Sequence, residues 1–391
     1  MRHRSIDTME EQRPVRPGIP LGRIAGVPVF LTVSWLFLAV LITITYESYL
    51  HATRPELAEP VAFLVGAGLV LSLLLSVLLH ELGHALTARR LGMGVRGITL
   101  ELLGGYTELD RDAPNPRVEL AVSLAGPAVS FVLGLAAAAG AAVLPSRTLL
   151  GELAFQLALS NLVVAIFNIL PGLPLDGGRA LRAGIWAASQ DRYLGDRIAG
   201  WAGRLVAAAS LVAALVLLAA NVIGVFGAAL TIMVALTLWV GAGHAIRAGR
   251  LGPRVPLLNA GRLARPILPV PPGTPLAEAL RQQAEAATSA DGRPGPVLGV
   301  VNSAGQLLGL VDETAAGQVP VERRPWVSAE TVTRHLESGR VLPADLTGMA
   351  LVDAVRANPG SEYVVTAGED VLGVLRVADV MQVLQARGRT R

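Results

Sequence analysis

The chemistry in this chain begins at His80, Glu81 and His84, within "SVLLHELGHALTARR", Ser76 to Arg90. The two histidines stand four apart, so a helix puts both on one face about a turn from each other. Two imidazoles placed this way can hold one Zn²⁺, each at about 2.0–2.1 Å. Glu81 follows the first histidine and points at a different angle. It can reach a water on the metal without binding the metal. In that arrangement zinc lowers the pKa of water to about 7 and the glutamate takes the proton, which is peptide-hydrolysis chemistry. The competing reading is two interfacial histidines and a snorkelling glutamate at a helix end. Position argues against it: the apolar run Val61 to Leu79 comes directly before the motif, and ionisable groups at such depth are functional as a rule.

A catalytic zinc needs a third protein ligand and an open position. Ala85 to Leu91 holds no histidine, so the longer soluble pattern H-E-x-x-H-x-x-G-x-x-H fails. His3, His51, His244 and His335 sit near a terminus, on the wrong side, at a helix–water boundary or in the tail. A carboxylate is therefore expected, with Glu101, Glu108, Glu119 and Asp176 as candidates. Asp176 stands in "FNILPGLPLDGGRAL", where Pro171 and Pro174 break an apolar segment and Gly177 and Gly178 free the backbone after it. An aspartate here can turn toward a buried ion, or it can cap a helix starting near Gly177. Spacing alone does not choose between them.

These residues need elements to position them, and composition says which kind. Of 391 residues, 52% are hydrophobic and 16% charged, with a mean hydropathy of +0.53, the balance of a membrane protein. The chain has no cysteine, which excludes disulfides and thiolate metal sites. It has no lysine either, so all 33 basic residues are arginine. They are spread along a chain of net charge +3, which is no nucleic-acid signature.

Six segments are long enough to span: 28–46, 61–83, 118–143, 153–170, 203–221 and 223–244. The first apolar run begins near Val27 and is too long for a signal peptide, so a retained helix is expected. Arginine is rich and poor by turns in the intervening loops. Both termini should therefore be cytoplasmic, with "HELGH" toward that face. Between the second and third spans "VRGITLELLGGYTEL", with Gly104 and Gly105, predicts a hairpin or bent strand. At membrane depth it must be covered by protein or line a wet cavity.

The predicted domains are a cytoplasmic tail (1–26), a six-helix membrane domain (27–249), a linker (250–265) and a soluble region (266–391). The last repeats itself: "TPLAEAL" echoes "MALVDAV", and "VLGVVNSAGQLLGLVD" echoes "EYVVTAGEDVLGVLRV". Each half reads helix, strand, turn, strand, helix, a pair of α+β modules.

"HELGH" followed by "FNILPGLPLDGG", with "LAGPAVSFVLG" (124–134) between them, resembles the site-2 protease family of intramembrane zinc metalloproteases over about 20–250. The resemblance implies one Zn²⁺ held by His80, His84 and Asp176, with Glu81 as general base. It gives Asn168 a contact with substrate or oxyanion, where an amide donor can meet developing negative charge. An interhelical hydrogen bond is the other use of Asn168, and the one expected of Asn161. "ITLELLGGYTEL" resembles the family's membrane-dipping β-loop, so Gly104 and Gly105 should lie where an unwound substrate pairs with a strand edge. Ser130 departs from the asparagine many members carry there.

The tail resembles a pair of cystathionine-β-synthase-type (CBS) regulatory modules, which often bind adenine nucleotides. Asp379, in "GVLRVAD", stands at the ribose-binding position, while Arg376 replaces a threonine and the first half has Ala315 where the aspartate would be. A dimerisation or gating platform without ligand is the alternative, and a homodimer is expected.

The expected fold is thus a polytopic α-helical membrane protein of six transmembrane helices with a membrane-associated β-hairpin, then a soluble α+β tandem CBS-type domain. The expected function is zinc-dependent hydrolysis of peptide bonds in or near the membrane segment of single-pass proteins. The resemblance adds anti-sigma factors as substrates and the plasma (inner) membrane of a prokaryote as location, with membrane lipid as surroundings and no nucleic acid as partner. The alternative is a non-catalytic zinc-binding sensor or scaffold signalling through its tail. A scaffold, however, has no need of Glu81.

Overall fold

In the computed structural model the described residues are 18–385, apart from 103, 146–147, 289–294, 335–339 and 369. The expected N-terminal tail up to residue 17, and both His3 and His335, lie outside them. The chain divides into two compact units, Met1–Arg250 and Leu251–Arg391.

The first unit opens with two antiparallel strands, β1 (Ile19–Ile24) and β2 (Val27–Leu31). Next come α1 (Val33–Thr53) and α2 (Glu59–Arg90), then the hairpin β3 (Val95–Glu101) and β4 (Gly104–Leu109). It ends with α3 (Pro116–Val143), α4 (Leu149–Ile169), α5 (Asp176–Ser189), α6 (Arg192–Ala219) and α7 (Val225–Leu251). Among the described residues six helices, α1 to α4 with α6 and α7, are long and apolar enough to cross a membrane. The chain is an integral membrane protein with the six predicted helices.

The start of the first span is corrected. Residues 27–31, expected at the edge of a helix, form β2, and α1 begins at Val33. Pro28 suits a strand start better than a helix interior, and pairing with β3 buries Val27, Val29 and Leu31 in alternation, the period of a strand. β2 pairs in parallel with β3, so the predicted hairpin becomes half of a four-stranded sheet in the order β1-β2-β3-β4. The inner face of that sheet, Val27, Val29, Leu31, Ile98 and Leu100, packs on Leu82 and Ala85 of α2. These two residues interleave with His80, Glu81 and His84. The sheet is therefore the backing that holds the motif's helix turn in place.

The second unit contains two similar modules. One has β5 (Ile267–Val270), α9 (Leu276–Thr288), β6 (Val297–Val301), β7 (Leu307–Val311) and α10 (Glu313–Gln318). A short helix, α8 (Ala260–Leu263), precedes it, and a two-residue strand, β8 (Thr333–Arg334), completes its sheet. The other has β9 (Val341–Pro343), α11 (Gly348–Ala357), β10 (Glu362–Ala367), β11 (Asp370–Arg376) and α12 (Val377–Gln385). Each module carries a leading strand, β5 or β9, parallel to the next, that the repeat reading omitted. At four and three residues, two of them proline, these strands give no periodic signal. Residues 250–265, expected as a linker, are structured as well. Leu258 and Ala260 are fully buried with Leu351, Tyr363 and Leu375 in the core of the second unit.

Candidate metal centre

The last turns of α2, the middle of α3 and the first residue of α5 meet at one point. His80 Nε2, His84 Nε2 and Asp176 Oδ2 form a triangle with every side 3.2 Å. Tetrahedral ligands at about 2.0–2.1 Å from a zinc ion stand about 3.3 Å from one another, so the triangle has the size of three zinc ligands. Both imidazoles are buried, at 6% and 4% exposure.

The protonation pattern fits the same group. His84 Nδ1 lies 2.7 Å from the carbonyl oxygen of Val122. A carbonyl only accepts, so Nδ1 must carry the proton and Nε2 a lone pair. His80 Nδ1 lies 2.9 Å from the Ser130 hydroxyl, which can accept in the same way. Two imidazole lone pairs and a carboxylate oxygen thus converge in a buried space. Three acceptors repel one another unless a cation lies among them, and the residues present fit zinc.

Room for the ion comes from Gly126. A side-chain carbon there would overlap Nε2 of both histidines. Pro127, next in α3, cannot donate to the Ser123 carbonyl and loosens the turn that presents the Val122 carbonyl.

Asp176 starts α5 but does not cap it, since Leu175 is the N-cap residue and no side chain caps that end. The Gly177–Gly178 pair serves close approach rather than freedom: a Cβ at either would strike the backbone of 169–173. The other acids considered as ligands are engaged elsewhere. Glu108 faces Arg96 at 3.3 Å, Glu119 pairs with Arg182, and Glu101 is exposed at the end of β3. Arg182 also reaches Asp196 at 2.9 Å, so one half-buried cation ties α3, α5 and α6 together two turns after Asp176.

Glu81 is 4% exposed, and the Thr107 hydroxyl on β4 donates to its Oε2 at 2.8 Å. A Cβ at Gly105 would come within 2.8 Å of Glu81 Cγ, so this strand can pass so near only as glycine. A cavity of about 170 Å³ opens here, lined by His80, Glu81, Gly105, Ser130, Asn168 and Asp176 among others. Among the described residues no side-chain hydrogen bond fills the Asn168 amide. Asn161 makes the interhelical bond expected of it, to Ser76 at 3.1 Å. Gly104 lies at the rim of a larger apolar cavity of about 590 Å³.

Of the residues singled out in the sequence, the site gathers His80, Glu81, His84, Asn168, Asp176 and Gly105. Asp379 belongs to the second unit, where Arg265 grips both its oxygens at 2.7 Å beside a cavity of about 800 Å³. The sequence reading missed Ser130 and Thr107 as partners of the motif. Ser130 was noted only as a departure, and Thr107 gave no signal beyond its place on a predicted strand.

A family model described as Peptidase family M50 matches residues 68–158. A chain assigned as zinc metalloprotease sll0528 in Synechocystis is 29% identical over 380 residues, 94% of this chain and 95% of that one. One assigned as zinc metalloprotease Rip3 in Mycobacterium tuberculosis is 41% identical over 196 residues, 49% of this chain and 50% of that one. Among solved structures, the site-2 protease from Methanocaldococcus jannaschii is 28% identical with a TM-score of 0.42, covering 59% of this chain and 95% of that one. That family model lies across the helix of both histidines, and chains assigned as zinc metalloproteases align along and beyond it, so the chain is similar to peptidase family M50 and to zinc metalloproteases of the site-2 protease kind.

Proposed function

We propose that the chain hydrolyses peptide bonds in or near the membrane-spanning segment of single-pass membrane proteins, with His80, His84 and Asp176 holding one zinc and Glu81 as general base. One observation carries this reading. The apolar cavity and the polar one share Leu73, Val77 and Val164 in their walls, so a groove fit for a lipid-embedded segment leads to the carboxylate.

Zinc, when bound, supplies a Lewis acid for the scissile carbonyl and lowers the pKa of water to about 7. Glu81 takes a proton from the attacking water and gives it to the leaving nitrogen as the C–N bond breaks. Thr107 fixes Oε2 of Glu81 and leaves Oε1, on the Gly105 side, to carry that proton. Asn168 turns its unfilled amide to the carbonyl oxygen as negative charge develops there. A helical substrate must unwind to expose the bond. β4 is the edge strand of its sheet, so Gly104 and Gly105 can pair with the unwound stretch. Proline scanned through 104–109 should stop cleavage at some positions while zinc stays bound, and cleavage intact at all of them would remove strand addition.

Both termini lie on the cytoplasmic side of a plasma membrane, and the second unit acts as a CBS-type regulatory pair that dimerises. An adenine nucleotide using Asp379 must first displace Arg265. Equilibrium dialysis of the full chain with ATP, ADP and AMP tests this, and no binding of any removes the nucleotide.

The deciding experiment for the site is zinc per chain, with cleavage of a membrane reporter, in wild type, Glu81→Gln and Asp176→Ala. Expected are about one zinc with cleavage, about one zinc without cleavage, and little of either. Zinc retained by Asp176→Ala would overturn the ligand set. Cleavage by Glu81→Gln would overturn the base, and zinc without cleavage in wild type would favour a scaffold.

A further inference from the structure

On the outward surface between α6 and α7, one cation sits in an aromatic clamp. The Arg204 guanidinium lies 4.9 Å from the ring centroids of both Trp201, on its own helix, and Trp239, on the neighbouring one. The indoles are 51% and 46% exposed. Around them Leu205, Leu236 and Val240 also face outward, and on helices of spanning length such residues meet hydrocarbon. The clamp holds the guanidinium by cation–π attraction, which occupies none of its N–H donors.

The unfilled donors set this arginine apart. Arg182, Arg192 and Arg265 are each held by carboxylates. Among the described residues Arg204 has no acid partner, and its buried Nε has no hydrogen-bond acceptor. Arg197 shares both features. It lies seven residues earlier on α6, about 10 Å along the axis and on nearly the same face. Each arginine packs against a glycine of α7. A Cβ at Gly243 would find Arg204 Nη2 at 3.7 Å, and one at Gly249 would find Arg197 Cγ at 2.8 Å. A seam thus runs up α6 and α7 with two guanidinium groups that have no acid partner among the described residues and two indoles, near where the apolar part of α6 gives way to Arg192 and Asp196 and that of α7 to Arg247 and Arg250. Tryptophan gathers at the headgroup level of a bilayer, and the arginine fork matches phosphate oxygens in pairs.

We propose that Arg204 and Arg197, with Trp201 and Trp239, form a binding site for the headgroup phosphate of an anionic phospholipid. The acyl chains lie along the apolar surface above, and the phosphate meets the outer guanidinium donors, for which no described residue supplies an acid partner. The site needs the chain to be membrane-embedded and does not depend on the protease reading.

The test uses the zinc-loaded full chain, purified in detergent and stripped of lipid. Phosphatidylglycerol or phosphatidylcholine of identical acyl chains is added, and lipid retained per chain is counted by native mass spectrometry. Wild type should keep phosphatidylglycerol at least about tenfold more tightly. R204Q and the double variant R197Q/R204Q should lose the preference. R204K, which keeps charge without the planar fork, should retain only part of it. Zinc content reports that each variant is folded. Equal retention of both lipids by wild type overturns the proposal whatever the variants do, and so does an unchanged preference in R204Q. Inorganic phosphate should not compete. Displacement of the lipid by phosphate at comparable concentration would overturn the lipid assignment in favour of a free anion.

Discussion

Ser130 Oγ stands 2.9 Å from Nδ1 of His80, across fifty positions of sequence. By accepting the Nδ1 proton it leaves the Nε2 lone pair facing the metal position, and it fixes the ring's rotation. Such partners of a ligand histidine are worth about 10–100-fold in metal affinity. Ser130→Ala should lose zinc to a competing chelator by that factor, and Ser130→Thr should lose less. Equal chelator midpoints for all three would show that the hydroxyl does not orient the ring.

Gly126→Ala asks whether the space between the histidines is needed. The added methyl would overlap both Nε2 atoms. The variant should insert in the membrane at wild-type levels and carry almost no zinc, read by metal analysis of the purified chain. Full zinc in that variant would mean that the rings can retreat.

Thr107 and Glu81 are separable from the metal. Thr107→Val removes a hydrogen bond to a carboxylate, worth about 1.5–3 kcal/mol, or roughly 10–100-fold in kcat if it is felt in the transition state. Zinc content and KM should hold, and Thr107→Ser should restore most of the rate. A uniform rise in KM would instead assign Thr107 to substrate binding.

Arg182→Met leaves Glu119 as a buried carboxylate with no counter-charge. Breaking one side of such a pair costs about 3–5 kcal/mol, so the melting temperature of the membrane unit should fall clearly. The helix start that carries Asp176 should loosen with it, seen as faster zinc loss at temperatures below the melt.

In the second unit, Arg376 donates to Glu313 at 2.8 Å and holds that carboxyl below its ordinary value of 4.5. A lowered carboxylate contributes stability above its unfolded pKa and loses it as pH falls through the folded one. The pair is half exposed, so the contribution is at most about 1 kcal/mol. Wild type should melt slightly above Glu313→Gln at pH 7, with the gap closing below pH about 4.5 and salt reducing it throughout. A gap that widens in acid would contradict the sign.

Much of this protein is written locally and is legible as such. Six helices follow from apolar length, because a bilayer leaves the backbone few other ways to bond itself. The pairing of His80 with His84 follows from helical period alone. The hairpin at Gly104 and Gly105 follows from turn chemistry and β-branched residues.

Asp176, the proposed third ligand, shows where local information ends. In sequence Asp176 is as good a helix cap as a ligand, and only the packing of α5 against α3 and α6 turns its oxygen to the histidines. Ser130, Thr107 and the Val122 carbonyl reach the motif across 50, 26 and 38 positions. No periodicity encodes those separations, because they are set by how helices and a sheet edge pack. The same holds for residues 27–31. All five are apolar or proline, so the sequence shows no alternation there; the strand needs a partner, and β3 arrives about seventy residues later. What the chain determined by itself is its apolar lengths, the helical spacing of His80 and His84 and the place of Glu81 beside them. What tertiary structure decided is which distant oxygen, hydroxyl and carbonyl face that helix turn, since side-chain direction between packed elements is fixed by their contacts and not by either segment alone.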